Sequence, residues 1–146
     1  MADYRLILSP VDFSEASEHA FETAVDLAAR FKAEVRVIHV YQLPASMLPE
    51  GVLEGPGDLE ETVRGRLQQQ LDAFVERNAS SGVNVTTGLC EGVPYVEITR
   101  AAQDLGADMI VIGTHGRTGL AHLLLGSVAE RVLRTADIPV LSVRER

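Results

Sequence analysis

Residues 109–127 of the chain read MIVIGTHGRTGLAHLLLGS. The four apolar residues at the start of this stretch form a run typical of a buried strand. A glycine-rich loop follows, and Gly126-Ser127 marks the start of a helix. Glycines that lead from a strand into a helix N-terminus leave backbone N–H groups able to bind an anion. This stretch therefore predicts a strand, a phosphate-type loop and a helix in succession.

Strand-like and helix-like segments alternate along the rest of the chain. The predicted strands cover residues 5–10, 34–40, 84–89, 108–112 and 138–143. Because these strands are apolar runs and do not alternate apolar with polar residues, they indicate a parallel sheet covered by helices on both faces. We expect an α/β fold: a doubly wound five-stranded parallel sheet with Rossmann-like or flavodoxin-like layers. The expected strand order is 3-2-1-4-5, within one domain spanning residues 1–146.

Local signals predict where the helices begin and end. Ser14 is a suitable N-cap for the first helix, followed by Glu15 and Glu18 in its first turn. Asp58 is the predicted cap of the second helix, after a long loop over residues 42–57. Gly106 is well placed to end the third helix, and the fourth is expected over residues 127–135.

Composition limits the classes of protein. With 146 residues, 46% of them apolar, and a single cysteine, Cys90, the chain is sized for one globular core without an intrachain disulfide. It has no apolar run long enough for a membrane span, and its first residues do not resemble a secretion signal, so we expect a cytoplasmic protein without membrane contact. The net charge of −8 argues against nucleic acid as a partner.

Two familiar phosphate motifs are excluded. Lys32 is the only lysine, so the lysine of a P-loop is missing. The turn after the first strand contains no glycine, so the dinucleotide fingerprint is missing as well. In a doubly wound sheet, ligands bind at the carboxyl ends of the strands. The glycine loop after the fourth strand is therefore the candidate site. A nucleotide site there would differ from both the P-loop and the dinucleotide fingerprint.

The pattern G-x2-G-x9-G-S from Gly113 to Ser127, with the P-x-D-x-S turn from Pro10 to Ser14, resembles the nucleotide-binding branch of the universal stress protein family. The resemblance extends over the whole chain in length and element order. It implies an adenine nucleotide, usually ATP, across the carboxyl ends of strands one, two and four. A divalent ion such as Mg²⁺ would bridge the phosphates, with Asp12 contacting the ligands of the ion and not the ion itself.

The resemblance also implies a set of site residues. On the adenosine side these are Pro10, Val11 and Asp12, with Val40 offering backbone hydrogen bonds to the adenine edge and Ile112 at the end of strand four. Around the ribose and phosphates they are Gly113, His115, Gly116 and Arg117. Gly126, Ser127 and Val128 would hold phosphate oxygens at the start of helix four.

The residues themselves fit this role, and each also has a plainer interpretation. Glycines let a backbone approach phosphates, and a helix N-terminus carries partial positive charge. The loop is otherwise only a tight turn, Ser127 only a helix cap, and Asp12 only a cap of helix one. His115 contacts phosphate or has no role.

The function that the resemblance implies is a nucleotide-responsive regulatory module in the stress response. No nucleophile or base stands near the loop except His115 and Asp12, so at most weak ATP hydrolysis is expected. The alternative is a slow ATPase or a phosphoryl or nucleotidyl transferase that uses the same pocket with His115 as acid or base. A flavodoxin-like redox protein is a third interpretation, which the absence of tryptophan and of a phosphate loop after strand one disfavours.

Two expectations concern surfaces. Relatives form homodimers through the last strand, so the resemblance implies pairing of Ile138 to Val143 with its copy, in addition to an unknown protein partner. The apolar segment from Leu120 to Leu125 folds over the sheet edge, packs on a partner, or forms a mobile flap.

Overall fold

The computed structural model describes residues 3–43, 56–79, 82–115 and 125–145. Within these ranges strands and helices alternate, as the sequence predicts. The strands are β1 (Leu6–Pro10), β2 (Glu34–Tyr41), β3 (Val85–Glu91), β4 (Met109–Gly113) and β5 (Val140–Val143). The helices are α1 (Glu15–Phe31), α2 (Pro56–Asn78), α3 (Pro94–Leu105) and α4 (Ser127–Thr135).

The strands form one parallel sheet in the order β3-β2-β1-β4-β5. This confirms the predicted fold class and strand order. The chain first winds outward from β1 to β2 and β3, then returns to β4 on the other side of β1. The winding direction therefore reverses between β1 and β4, and the carboxyl ends of these two neighbours leave a crevice between their loops.

Both faces of the sheet are buried, each in its own core. On one face, strand residues such as Ile7 and Val35 pack with Phe21 of α1 and Phe74 of α2. On the other face, Leu8, Ile38 and Ile110 are covered by α3 and α4. Consecutive strand residues point to opposite faces, so both must be apolar, which explains the unbroken apolar runs in the sequence.

The helix boundaries agree with most of the predicted signals. Ser14 caps α1, and its side chain accepts a hydrogen bond from the N–H of Ser17. Gly106 ends α3 in the left-handed conformation, with φ of 65°. The predicted cap at Asp58 is wrong, because α2 already begins at Pro56. Proline suits that first helical turn, where its missing N–H would have no helical partner.

Helix α4 spans Ser127–Thr135, as predicted, but its N-cap is Gly126, so the interpretation of Ser127 as the helix cap is wrong. Strand β5 begins at Val140 and not at Ile138. The carbonyl of Pro139 still accepts from the N–H of Ile110, at 2.9 Å, but proline has no N–H to continue the ladder. Within the described residues, no helix has the length and apolar character needed to cross a membrane.

Candidate ligand site

A cavity of about 280 Å³ opens at the carboxyl edge of the sheet, between the ends of β1 and β4. This is the point where the winding direction reverses. Its lining comes from the ends of β1, β2 and β4 and from the first turns of α1, α3 and α4. The lining residues are Pro10, Val11, Asp12, Ser17, Val40, Pro94, Ile98, Ile112, Gly113, Thr114, His115, Gly126, Ser127, Val128 and Ala129.

The turn between β1 and α1 forms one polar wall. Asp12 Oδ1 accepts from the N–H of Ser14 at 3.0 Å, so the carboxylate braces the turn in addition to lining the cavity. The next residue, Phe13, has a φ of 65°, a backbone conformation that residues other than glycine rarely adopt. Its ring lies 4.5 Å from that of His39 and 5.8 Å from that of Phe74, centroid to centroid. This packing offsets the backbone strain.

Two glycines of the lining make close backbone approaches. A Cβ on Gly113 would lie 2.8 Å from the carbonyl of Ala16, so glycine lets α1 pack against the end of β4. A Cβ on Gly126 would lie 2.7 Å from the carbonyl oxygen of Thr114. The Gly126 N–H donates to that same oxygen at 2.5 Å. The two loop glycines therefore serve close packing at the cavity wall.

The N-terminal turn of α4 lines the cavity. Gly126, as N-cap, has no side chain with which to bond the helix's first N–H groups. Ser127, Val128 and Ala129 all line the cavity. Unsatisfied N–H groups and the positive end of the helix dipole form a site for an anion.

His115 lines the same cavity. Its Nδ1 lies 3.0 Å from Oγ1 of Thr114. Its Nε2 is buried and has no hydrogen-bond partner among the described residues.

The remainder of the wall is apolar. Val40, Pro94, Ile98, Ile112 and Ala129 form it, and Ile98, Ile112 and Ala129 are nearly inaccessible to solvent. A planar aromatic ring fits such a surface. The lining therefore combines apolar residues with polar groups and an anion-attracting helix end.

The structure brings the predicted site residues together wherever it describes them. Pro10, Val11, Asp12, Val40, Ile112, Gly113, His115, Gly126, Ser127 and Val128 all line the cavity. Gly116 and Arg117 lie outside the described residues. The sequence analysis missed Ser17, Pro94, Ile98, Thr114 and Ala129. Thr114 stands between two predicted residues and could have been found, whereas Pro94 and Ile98 reach the cavity only through the packing of α3.

Other candidate residues lie away from the cavity. His39 is hydrogen-bonded within the sheet, with Nδ1 2.8 Å from the carbonyl oxygen of Val11. Cys90 packs against the α3–α4 core, and burial raises the pKa of its thiol, which makes it a poor nucleophile. Among the described residues, no cluster of three or more His, Cys, Asp or Glu side chains could hold a metal ion.

The apolar loop segment is described only at its end. Leu120, Leu123 and Leu124 lie outside the described residues, so the three interpretations of that segment stay predictions. Leu125 is exposed.

These features define a parallel α/β protein with a ligand-sized cavity at its topological switch point. The model of the universal stress protein family matches residues 3–144, and the chain belongs to this family.

Individual relatives agree with this assignment. Universal stress protein MJ0531 from Methanocaldococcus jannaschii is 40% identical over 144 residues, which cover 97% of this chain and 83% of that protein. A solved structure of MJ0577 from the same organism has a TM-score of 0.80 at 31% identity and covers 99% of both chains. A universal stress protein solved in complex with cAMP shares the fold, with a TM-score of 0.67, 24% identity and 98% of both chains covered.

Proposed function

We propose that this protein binds an adenine nucleotide, ATP in the first place, in the cavity between β1 and β4. It acts there as a nucleotide-responsive regulatory module of the cytoplasmic stress response. The observation that carries the proposal is the start of α4, a helix N-terminus without a capping side chain that lines the cavity. Such an end favours phosphate.

The apolar part of the lining supports adenosine as the remainder of the ligand. Its surface around Ile98 and Ile112 suits the faces of a purine ring. Asp12 also lines the cavity, and its carboxylate suits the hydroxyl groups of a ribose. The cAMP bound by a family member with this fold is an adenine nucleotide as well.

Mg²⁺ fits the site as a companion of the ligand. Asp12 is the only carboxylate among the described residues of the lining. Mg²⁺ is commonly held by one or two carboxylates together with substrate phosphates. Phosphate oxygens would therefore supply the ligands that the protein does not. We expect Mg²⁺ to bind with ATP and not by itself.

Two measurements test the nucleotide site. Mass spectrometry of the small molecules released from gently denatured protein should detect an adenine nucleotide. Isothermal titration with ATP and with adenosine should then separate phosphate binding from base binding. The Ser127→Asp variant adds a negative charge to the first turn of α4, which stabilises the helix but repels phosphate.

The expected result is a loss of ATP affinity of about tenfold or more in Ser127→Asp, with adenosine affinity and thermal stability retained. The matched control is Gln70→Glu, which adds the same charge at an exposed position of α2 outside the cavity. Equal ATP affinity in Ser127→Asp and Gln70→Glu would contradict a phosphate site at α4.

The alternative function is turnover of ATP at the same site. His115 supports it, because its buried Nε2 has no partner among the described residues and could act on a proton. Purified protein mixed with ATP and Mg²⁺ should retain nucleotide and form little product. Many turnovers per minute that disappear in His115→Ala would show that the protein is an enzyme and not a binding module.

We also propose a homodimer that forms through β5. This strand is one edge of the sheet, and Leu141 on it and Leu133 of α4 are both exposed. An exposed apolar edge strand is commonly covered by pairing. Sedimentation at tens of micromolar protein should show a dimer, and a monomer there would contradict this part of the proposal.

A further inference from the structure

Thr114 occupies an unusual position between the end of β4 and the cavity. Its backbone is fixed on both sides: the N–H donates to the carbonyl of Val143 at 3.0 Å, and the carbonyl accepts from Gly126 at 2.5 Å. The residue is only 4% exposed. Because the backbone is anchored twice and the side chain is enclosed, the position of its hydroxyl is set by the fold.

The partner of that hydroxyl is the neighbouring histidine. Thr114 Oγ1 lies 3.0 Å from Nδ1 of His115, and no other partner of this oxygen is found among the described residues. A buried hydroxyl that only accepted from Nδ1–H would leave its own proton without an acceptor. If the hydroxyl donates to an unprotonated Nδ1, both its proton and the ring's lone pair are satisfied. The second arrangement is therefore favoured.

This hydrogen bond determines what the other ring nitrogen offers. In a neutral imidazole with a free lone pair on Nδ1, the proton resides on Nε2. Nε2 of His115 is buried, has no partner among the described residues, and belongs to a side chain that lines the cavity. The first turn of α4, which attracts anions, lines the same cavity. An Nε2–H donor complements an anionic oxygen there, whereas an Nε2 lone pair would repel it.

We propose that Thr114 is a positioning residue, which holds His115 in the tautomer whose Nε2–H donates to an anionic oxygen of the bound ligand. The proposal rests on the nucleotide site proposed above and adds a specificity: the donor discriminates in favour of phosphorylated ligands over the bare nucleoside. The hydroxyl acts only through the ring and need not touch the ligand itself.

Two substitutions at one position separate positioning from packing. Thr114→Val keeps the branched shape and both backbone hydrogen bonds but removes the hydroxyl. Thr114→Ser keeps the hydroxyl and removes a buried methyl group. A merely structural role would make the serine variant bind ATP more weakly than the valine variant, because the serine leaves a small void. The positioning role predicts the opposite order.

The binding experiment titrates ATP and adenosine into wild type, Thr114→Val, Thr114→Ser, His115→Ala and the Thr114→Val/His115→Ala double variant. We expect ATP affinity to fall about fivefold to tenfold in Thr114→Val, to stay within about twofold of wild type in Thr114→Ser, and adenosine affinity to change little in either. The double variant should bind ATP no more weakly than His115→Ala alone, because the hydroxyl acts through the ring. Unchanged ATP affinity in Thr114→Val, or additive losses in the double variant, would overturn the proposal.

A second measurement needs no ligand. Nitrogen-15 NMR distinguishes protonated from unprotonated ring nitrogens, and loss of a signal in His115→Ala assigns it among the four histidines. Wild type and Thr114→Ser should show Nε2 protonated in His115, and Thr114→Val should lose this preference. Protonation of Nδ1 in the wild type would overturn the proposal even if ATP binds. If the wild type binds neither ATP nor adenosine, the proposed function fails and the ligand half of this inference with it, while the tautomer result still decides the Thr114–His115 hydrogen bond.

Discussion

Helices α1 and α4 both begin beside the cavity, and they begin in opposite ways. A first-turn N–H of α1 has a side-chain acceptor, since Ser14 Oγ accepts from the N–H of Ser17, and Asp12 braces this cap by accepting from the N–H of Ser14. At α4 the cap is Gly126, which has no side chain to offer. The first turn of α1 therefore has a side-chain cap, whereas the first N–H groups of α4 have none and can bind a ligand.

The difference shows how a single fold produces a structural and a binding helix end at the same edge. A hydroxyl cap stabilises a helix by about 1 kcal/mol but occupies the donors that an anion would use. A glycine cap forgoes the side-chain bond and allows the preceding loop to pack closely. Helix α3 is intermediate: Val93 gives it no side-chain cap, but the proline at its start removes one donor.

The largest expected effect comes from adding a side chain at the N-cap of α4. Gly126 has φ of −59° and ψ of 151°, which any residue can adopt, so glycine is needed there for space and not for conformation. In Gly126→Ala the new Cβ would meet the Thr114 carbonyl oxygen at 2.7 Å. We expect a loss of about 1–3 kcal/mol in the free energy of unfolding and at least a tenfold loss of ATP affinity, measured by urea denaturation and titration.

Gly106 provides the matched control, because glycine is needed there for the opposite reason. It has a φ of 65° and nothing within 4 Å of a built Cβ. Gly106→Ala should therefore cost about 1 kcal/mol in stability through backbone strain and leave ATP affinity unchanged. If both variants lose ATP affinity in proportion to their stability, the cap of α4 has no specific role in binding.

The sequence was sufficient to predict the start of α1 and the order of the strands, which depend on local signals and general winding rules. Ser14 as a cap and the strand order both follow from short patterns and the winding rules of parallel sheets. It was not sufficient for the α4 cap, where Ser127 has the better capping chemistry but Gly126 occupies the position. The reason is tertiary: the carbonyl of Thr114 lies where a side chain at residue 126 would begin. Pro94 and Ile98 were missed for a similar reason, since they reach the cavity only through helix packing.

A smaller effect should separate the two serines at these helix starts. Ser14→Ala removes the cap of α1 and should lower the free energy of unfolding by about 1 kcal/mol with little change in ATP affinity. Ser127 makes no side-chain hydrogen bond among the described residues, so Ser127→Ala should change stability by less than about 0.5 kcal/mol. Its ATP affinity should nevertheless fall about threefold, because a neutral hydroxyl donor to phosphate is lost.

Denaturation and titration of both variants test this crossing pattern. Each serine serves as the control for the other, since both changes remove one hydroxyl at the start of a helix beside the cavity. A stability loss in Ser127→Ala equal to that in Ser14→Ala would mean that both helix ends are structural, and the contrast between α1 and α4 would disappear.

The smallest effect concerns Cys90, which tests how far the ligand extends from α4 toward β3. Cys90 pairs in register with Val40, a lining residue, but does not itself line the cavity. Burial, and then the nearby charge of Glu97, raise the pKa of its thiol, so the folded chain holds that proton more tightly than the unfolded chain. The resulting contribution to stability is present below the thiol's ordinary pKa and is lost as the pH rises through the folded value.

Alkylation with iodoacetamide at about pH 8 reads this directly, because Cys90 is the only cysteine. The folded protein should react more slowly than the protein in urea, and its rate should rise with pH at higher values than the unfolded rate does. Saturating ATP should leave the folded rate unchanged if the purine ends at the lining residues Val40 and Ile98. Strong protection by ATP would instead extend the ligand beyond this lining toward β3, and α4 would then share the role of the open helix end with α3.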